Sequence, residues 1–232
     1  MNIKQGSTVY STKTPEILLR RPCRARKYGW MGAAAGWLIR IGVRPNQISI
    51  LSLVFAGMGG VCLILAGHNN SVLSITFYLA AAAFIVLRGL CNILDGILAV
   101  EGGLKTKSGE IFNELPDRLS DPLLLVCAGY SIIEGGWVDL GWAAGILAVI
   151  TAYVRTLGRA AGAQQHFCGP MAKGHRMTIL GLACLIAAAE TALGVFPRAM
   201  ICALLIVTVG CVITIIRRTY LILKELESKS EG

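Results

Sequence analysis

The sequence predicts an all-α fold: an integral membrane bundle of six transmembrane helices with an N-terminal interfacial amphipathic helix. Three observations predict it. Hydrophobic residues make up 55% of the chain and charged residues only 15%, against about 25% charged in an ordinary soluble domain. The apolar residues fall in runs that approach the roughly 20 needed to cross a hydrocarbon core of about 30 Å. The lysines and arginines collect at one set of run ends and avoid the other. At 232 residues the chain has the length of one domain.

The elements follow in order. In "RKYGWMGAAAGWLIRIGV", Tyr28, Trp30, Met31, Trp37, Leu38 and Ile41 stand among flanking basic residues. That pattern suits a helix lying in the membrane interface. "VRPNQIS" then turns the chain: Pro45 biases Arg44 away from helix, and Asn46 is the expected N-cap of the first span. The first span is Ile48 to Gly67, with no charge. The second is Val72 to Leu87, its helix running on through Arg88 towards Val100. The third helix begins near Gly109 and spans from Asp121 to Ile133. Gly141 to Val154, extending to about Ala163, is the fourth. Met177 to Phe196 is the fifth, interrupted only by Glu190, and Ala199 to Ile216 is the sixth. Residues 1–44 form an N-terminal cytoplasmic segment, 45–220 the six-helix domain and 221–232 a cytoplasmic tail. No internal repeat, low-complexity tract or cleavable signal peptide is evident.

Lysine and arginine in the short connections set orientation. The connections near His68–Ser71, Glu134–Asp139 and Glu190–Pro197 contain none. The opposite ends carry Lys105, Lys107, Arg155, Arg159, Lys173 and Arg176. Both termini are therefore expected on the cytoplasmic side, in a bacterial inner membrane. The net charge of +9 is spent there as well. Arg20, Arg21, Arg24, Arg26 and Lys27 precede the first span, and Arg217, Arg218, Lys224 and Lys229 follow the last. Basic flanks of this kind anchor to anionic lipid. No motif or soluble domain is present to bind nucleic acid. The eight cysteines show no CxxC or Cys/His metal spacing and read as small buried hydrophobes.

Polar residues inside the apolar pattern carry the chemistry. Arg88, Asn92, Asp95 and Ala99 recur at steps of four, three and four, which puts them on one helix face. Asn113, Asp117 and Asp121 recur at steps of four on the next helix, flanked by Glu110 and Glu114. The short turn "EGGLKTKS" joins the two helices, which are therefore expected to be neighbours. Facing carboxylates at a membrane edge are costly and repel one another. A divalent cation resolves both problems, since carboxylate and amide oxygens suit Mg²⁺ or Mn²⁺. Salt bridges do so too, for instance Arg88 to Asp95 and Arg118 to Asp121 or Glu114. A transporter pathway is a further alternative, though no broken-helix repeat is visible.

"NILDGILA" followed by "GEIFNELPD" resembles the signature of the CDP-alcohol phosphotransferase family. That pattern is Asp, two residues, Asp-Gly, two residues, Ala-Arg, eight residues, Gly, three residues, Asp, three residues, Asp. Its second Asp falls on Asp95, its glycines on Gly96 and Gly109, its alanine on Ala99 and its last Asp on Asp117. "RPNQIS" resembles the opening of the family's first span, and "YVRTLGR…GPMAKGHRMT" its later basic region. The departures are Asn92 and Asn113 in place of aspartates and Val100 in place of arginine.

The resemblance implies transfer of a phosphatidyl-type group from a CDP-linked lipid, preferably CDP-diacylglycerol, to a polar alcohol with release of CMP. It implies Mg²⁺ or Mn²⁺ held by Asn92, Asp95, Asn113, Glu114 and Asp117, the amides contributing neutral oxygens. Gly96, Ala99 and Gly109 become the CDP-binding positions. Asp117 and Asp121 are the candidates for the catalytic base, because "DRLSD" repeats the Asp, three residues, Asp spacing one turn later. That rival register loses the match at Gly109. Arg155, Arg159, Lys173 and Arg176 are the expected phosphate or substrate contacts. Membrane lipids are partners, and family members often form homodimers. A silent relative that binds lipid or nucleotide is the alternative that the lost aspartates motivate.

Overall fold

The computed structural model describes residues 29–101, 103, 108–133 and 135–230. The basic cluster Arg20 to Lys27, together with Tyr28, Lys105, Lys107 and Glu134, lies outside them. Among the described residues the fold is all-α, with seven helices and no strand. They are α1 (Gly29–Arg40), α2 (Pro45–Gly67), α3 (Ser71–Glu101), α4 (Gly109–Tyr130), α5 (Val138–Ala160), α6 (Lys173–Ala192) and α7 (Arg198–Ser230).

Several boundaries move. Helix α2 starts at Pro45, so Arg44 rather than Asn46 is its N-cap. Proline suits this first position because its missing N–H would have no partner there. Gln47 reaches back, its Oε1 accepting the Arg44 backbone N–H at 2.9 Å. Helix α5 stops at Ala160, short of Ala163, where Gly162 takes φ 96°. Helix α6 begins four residues before Met177 and ends before Phe196, since its first turn is recruited to a buried ion cluster. Helix α7 runs on to Ser230. The expected 221–232 tail is therefore helical as far as it is described, and it packs against the α5–α6 connection.

Among the described residues, four helices are long and apolar enough to cross a membrane: Pro45–Gly67, Ser71–Val100, Val138–Ala160 and Arg198–Lys229. Helices α4 and α6 miss that measure because of the charged residues within them, Glu114, Asp117, Arg118 and Asp121 in α4 and Lys173, Arg176 and Glu190 in α6. The outer faces are apolar and exposed, with Val61, Val86, Ile146, Val209 and Ile216 all more than half uncovered. Such a surface suits a lipid environment rather than water.

The six longer helices close into a ring in the order α2, α3, α6, α7, α5, α4, and α1 lies against α3. Helices α3 and α4 were expected to be neighbours but touch only lightly. Helix α2 packs against both of them. The α4–α5 crossing is close: a Cβ on Gly141 would lie 2.9 Å from the Gly129 Cα. One core cluster runs through the ring, including Leu63, Tyr78, Leu124, Leu180 and Leu204. A smaller cluster joins Met31 and Ala35 of α1 to Ile48, Cys91 and Leu98.

Candidate active site

The α4 acids Asp117 and Asp121 meet α3 inside the ring through Arg88, which is 1% exposed. Arg88 Nη2 donates to Asp121 Oδ1 at 2.6 Å and to Asp117 Oδ1 at 3.3 Å. Asp121 Oδ2 accepts from Arg176 Nη2 at 2.6 Å, and Lys173 forms an ion pair with Asp117. One cluster therefore binds α3, α4 and α6 together. Arg176 extends it: its Nη1 donates to the Thr151 hydroxyl at 3.1 Å and to the Met171 carbonyl at 2.8 Å. Arg88 does not bridge to Asp95, as the sequence suggested it could; its reach goes to α4 instead.

Asp95 sits apart from these pairs and is buried. Its Oδ2 accepts from the Ser49 hydroxyl at 2.7 Å. Its Oδ1 is buried with no hydrogen-bond partner, and so is the side-chain nitrogen of Asn92, one turn earlier. Lys173 and Asp117 stand within electrostatic reach of Asp95. Buried polar atoms without partners are rare and demand an explanation.

The remaining α4 residues divide. Asn113 is exposed, like Ile111 and Phe112. Its position one turn before Asp117 does not bring it into the cluster. Glu114 is held by arginines: Arg155 Nη2 donates to its two oxygens at 2.9 and 2.8 Å, and Arg118 pairs with it from the next turn. The Arg118–Glu114 pair is one of those the sequence raised.

Arg155 is buried, with its guanidinium 5.2 Å from the centre of the Phe167 ring. Arg118, Arg155, Lys173, Arg176 and Arg218 line one small crevice, with Thr151 and Ala152 between them. Arg159, one turn beyond Arg155, is exposed. Gly96, Ala99 and Gly109 are half-buried. A crevice with five cationic side chains suits a phosphate, for which arginine offers paired donors and lysine a point charge.

The donor set was tested against the divalent cation the signature implies. Among the described residues, no three carboxylate, histidine or cysteine side chains converge on one point. Glu114 and Asp121 are committed to arginines, and Asn113 faces outward. What fits a cation is the Asp95 Oδ1, a buried acceptor lacking a donor, with the Asn92 amide on the same face. Asp117 supplies the next carboxylate.

Four residues of the site escaped the sequence reading. Ser49 and Thr151 are lone hydroxyls in apolar runs, and Phe167 lies in a connection with no periodicity. Arg218 read as a membrane anchor, yet it is buried: its Nε donates to the Cys168 carbonyl and its Nη1 to the Thr151 carbonyl. Its spacing of four from Thr214 was the available signal.

The family model for CDP-alcohol phosphatidyltransferases matches residues 43–221, and the chain belongs to that family. It is thereby an integral membrane enzyme of the metal-dependent CDP-alcohol phosphotransferase class, which builds phospholipids by phosphatidyl transfer. Over 192 residues it is 29% identical to the archaetidylinositol phosphate synthase of Pyrococcus horikoshii, covering 82% of this chain and 89% of that one. It is 26% identical to the inner membrane protein YnbA of Escherichia coli over 146 residues, 63% of this chain and 69% of the relative. In fold it is similar to Mycobacterium tuberculosis phosphatidylinositol phosphate synthase crystallised with manganese and citrate. That match has a TM-score of 0.70 at 20% identity, and covers 83% of this chain and 88% of that one. The same synthase with CDP-DAG bound gives 0.69 at 20% identity, covering 83% and 92%.

Proposed function

We propose that this chain moves the phosphatidyl group of CDP-diacylglycerol to a polar alcohol at the cytoplasmic end of a six-span bundle. The observation that carries this reading is the unpartnered Asp95 oxygen, with Asp117 ion-paired to Lys173 at the edge of the basic crevice across α5 and α6. In the reaction the alcohol oxygen attacks the phosphorus bearing the diacylglycerol, and the P–O bond to CMP breaks. A cation bound at Asp95, with Asn92 and Asp117, would supply Lewis-acid stabilisation of the diphosphate charge. Arg155, Lys173 and Arg176 neutralise the phosphate oxygens. Asp117 takes the alcohol proton. In the absence of substrate its carboxylate is paired with Lys173; a phosphate that draws Lys173 away frees the carboxylate for that proton. Asp121, saturated by two arginines, holds them in place and is the weaker candidate for base. Gly96, Ala99 and Gly109 line the approach of the CDP group.

The same reading makes α4 and α6 spans, since their 22 and 20 residues reach about 30 Å. Residues 45–220 then form the catalytic domain, α1 lies in the interface, and both termini are cytoplasmic in a bacterial inner membrane. The acyl tails enter sideways from the bilayer, while the alcohol arrives from water. Purified protein should release CMP from CDP-diacylglycerol with at least one of a panel of alcohols and phosphorylated alcohols, in Mg²⁺ or Mn²⁺. A silent relative releases none.

A further inference from the structure

The connection between α5 and α6 has no secondary structure of its own, yet α7 holds it along most of its length. The holding residues Thr214, Arg218, Glu225 and Lys229 lie on one stripe of α7 at steps of four, seven and four, with Ile222 of the same stripe seated on the end of α5. The Thr214 hydroxyl accepts the Met171 N–H at 3.0 Å. Arg218 donates to the Cys168 carbonyl at 2.9 Å. Ile222 packs where a Cβ on Gly158 would sit, 2.5 Å away. Glu225 Oε1 accepts the Gln164 N–H at 2.9 Å, and its Oε2 meets His166 Nε2 at 2.8 Å. Lys229 donates to the Gly162 carbonyl at 2.9 Å and to Glu225 at 2.7 Å.

What this connection presents to Arg155, a lining residue of the crevice, is Phe167, whose ring lies 5.2 Å from the guanidinium. Glu114 fixes one edge of that guanidinium from α4, and the ring faces its carbon. An arginine side chain has many rotamers to lose, and connections move unless they are tied. A ring on an untied connection would not hold Arg155. We propose that the stripe on α7 is a clasp whose function is to position Arg155 for the donor's phosphates, with Glu225 as its closing residue. The positioning role rests on the transfer reading above. The clasp goes beyond it, because none of its residues touches the reacting atoms.

Two readouts test it. The first is the alkylation rate of Cys168, which is free and sits beside Phe167, followed by peptide mass spectrometry with no substrate present. The second is the KM for CDP-diacylglycerol set against kcat for CMP release. Glu225→Ala should speed Cys168 alkylation several-fold and raise KM about 3–10-fold, the range a lost cation–π contact allows, with kcat within about twofold. Phe167→Leu should raise KM similarly without changing the alkylation rate, and Phe167→Tyr, which keeps the ring, should restore KM. Unchanged alkylation in Glu225→Ala, or wild-type KM in both Glu225→Ala and Phe167→Leu, overturns the clasp. So does a Phe167→Tyr variant as impaired as Phe167→Leu. A wild-type protein that releases no CMP overturns the transfer reading and the positioning role together, and the alkylation rates then decide the tie alone.

Discussion

Arg88 on α3 and Asp121 on α4 meet at 2.6 Å, with side chains only 1% and 3% exposed. The two helices share little other surface, so this pair and its extension to Arg176 are what couple them. Asp117 and Asp121 face Arg88, Lys173 and Arg176, so each buried charge in the cluster has a partner. Breaking a buried pair by removing one member costs about 3–5 kcal/mol, because the other charge is stranded.

Arg88→Met should therefore lower the thermal unfolding midpoint in detergent sharply, and Asp121→Asn should do the same. The cost expected for each is about 3–5 kcal/mol. Activity should fall with stability in both. An Asp121→Asn protein of normal stability that has lost CMP release would instead make Asp121 the base.

Asp117→Asn should behave differently. Its links to Arg88 and Lys173 are a 3.3 Å contact and a pair near the crevice. Loss of a general base lowers kcat by about 10²–10⁴, and the midpoint should fall less than for Asp121→Asn. Steady-state CMP release alongside thermal unfolding separates the two effects.

The two amides should separate as well. Asn92→Asp adds a carboxylate beside the unpartnered Asp95 oxygen and should tighten Mn²⁺ binding, read by calorimetry or electron paramagnetic resonance. Asn113→Asp changes an exposed side chain and should leave the affinity unchanged. Glu114→Gln should also leave it unchanged while raising the KM for CDP-diacylglycerol, since Glu114 holds arginines. A weaker Mn²⁺ site in Glu114→Gln would restore Glu114 as a ligand.

Gly141→Ala places a methyl 2.9 Å from the Gly129 backbone, which cannot yield as a flexible side chain would. The α4–α5 crossing must then open, and overpacking of this kind costs about 1–3 kcal/mol. A lowered unfolding midpoint with the ion cluster untouched checks it.

These residues also show how much was legible beforehand. The long apolar helices could be read because lipid leaves few other solutions. The face shared by Arg88, Asn92 and Asp95 followed from spacing alone. Partner choice did not follow. Spacing puts Asn113, Asp117 and Asp121 on one face, yet only the last two are buried, because exposure depends on which neighbours a helix meets along its length. Arg88 bypasses Asp95 for the same kind of reason: ring order, which no single helix encodes, decides which carboxylate is opposite. Arg218 was misread because an arginine just past an apolar run looks alike whether it snorkels to lipid headgroups or turns inward to backbone carbonyls.

The most direct measurement is CMP release from CDP-diacylglycerol by the wild-type protein and by Asp95→Asn, in Mg²⁺ or Mn²⁺ with a panel of polar alcohols. The predicted result is metal-dependent release with at least one acceptor, abolished in Asp95→Asn while the protein stays folded. No release with any acceptor, or release that survives Asp95→Asn undiminished, would contradict the assignment of this site.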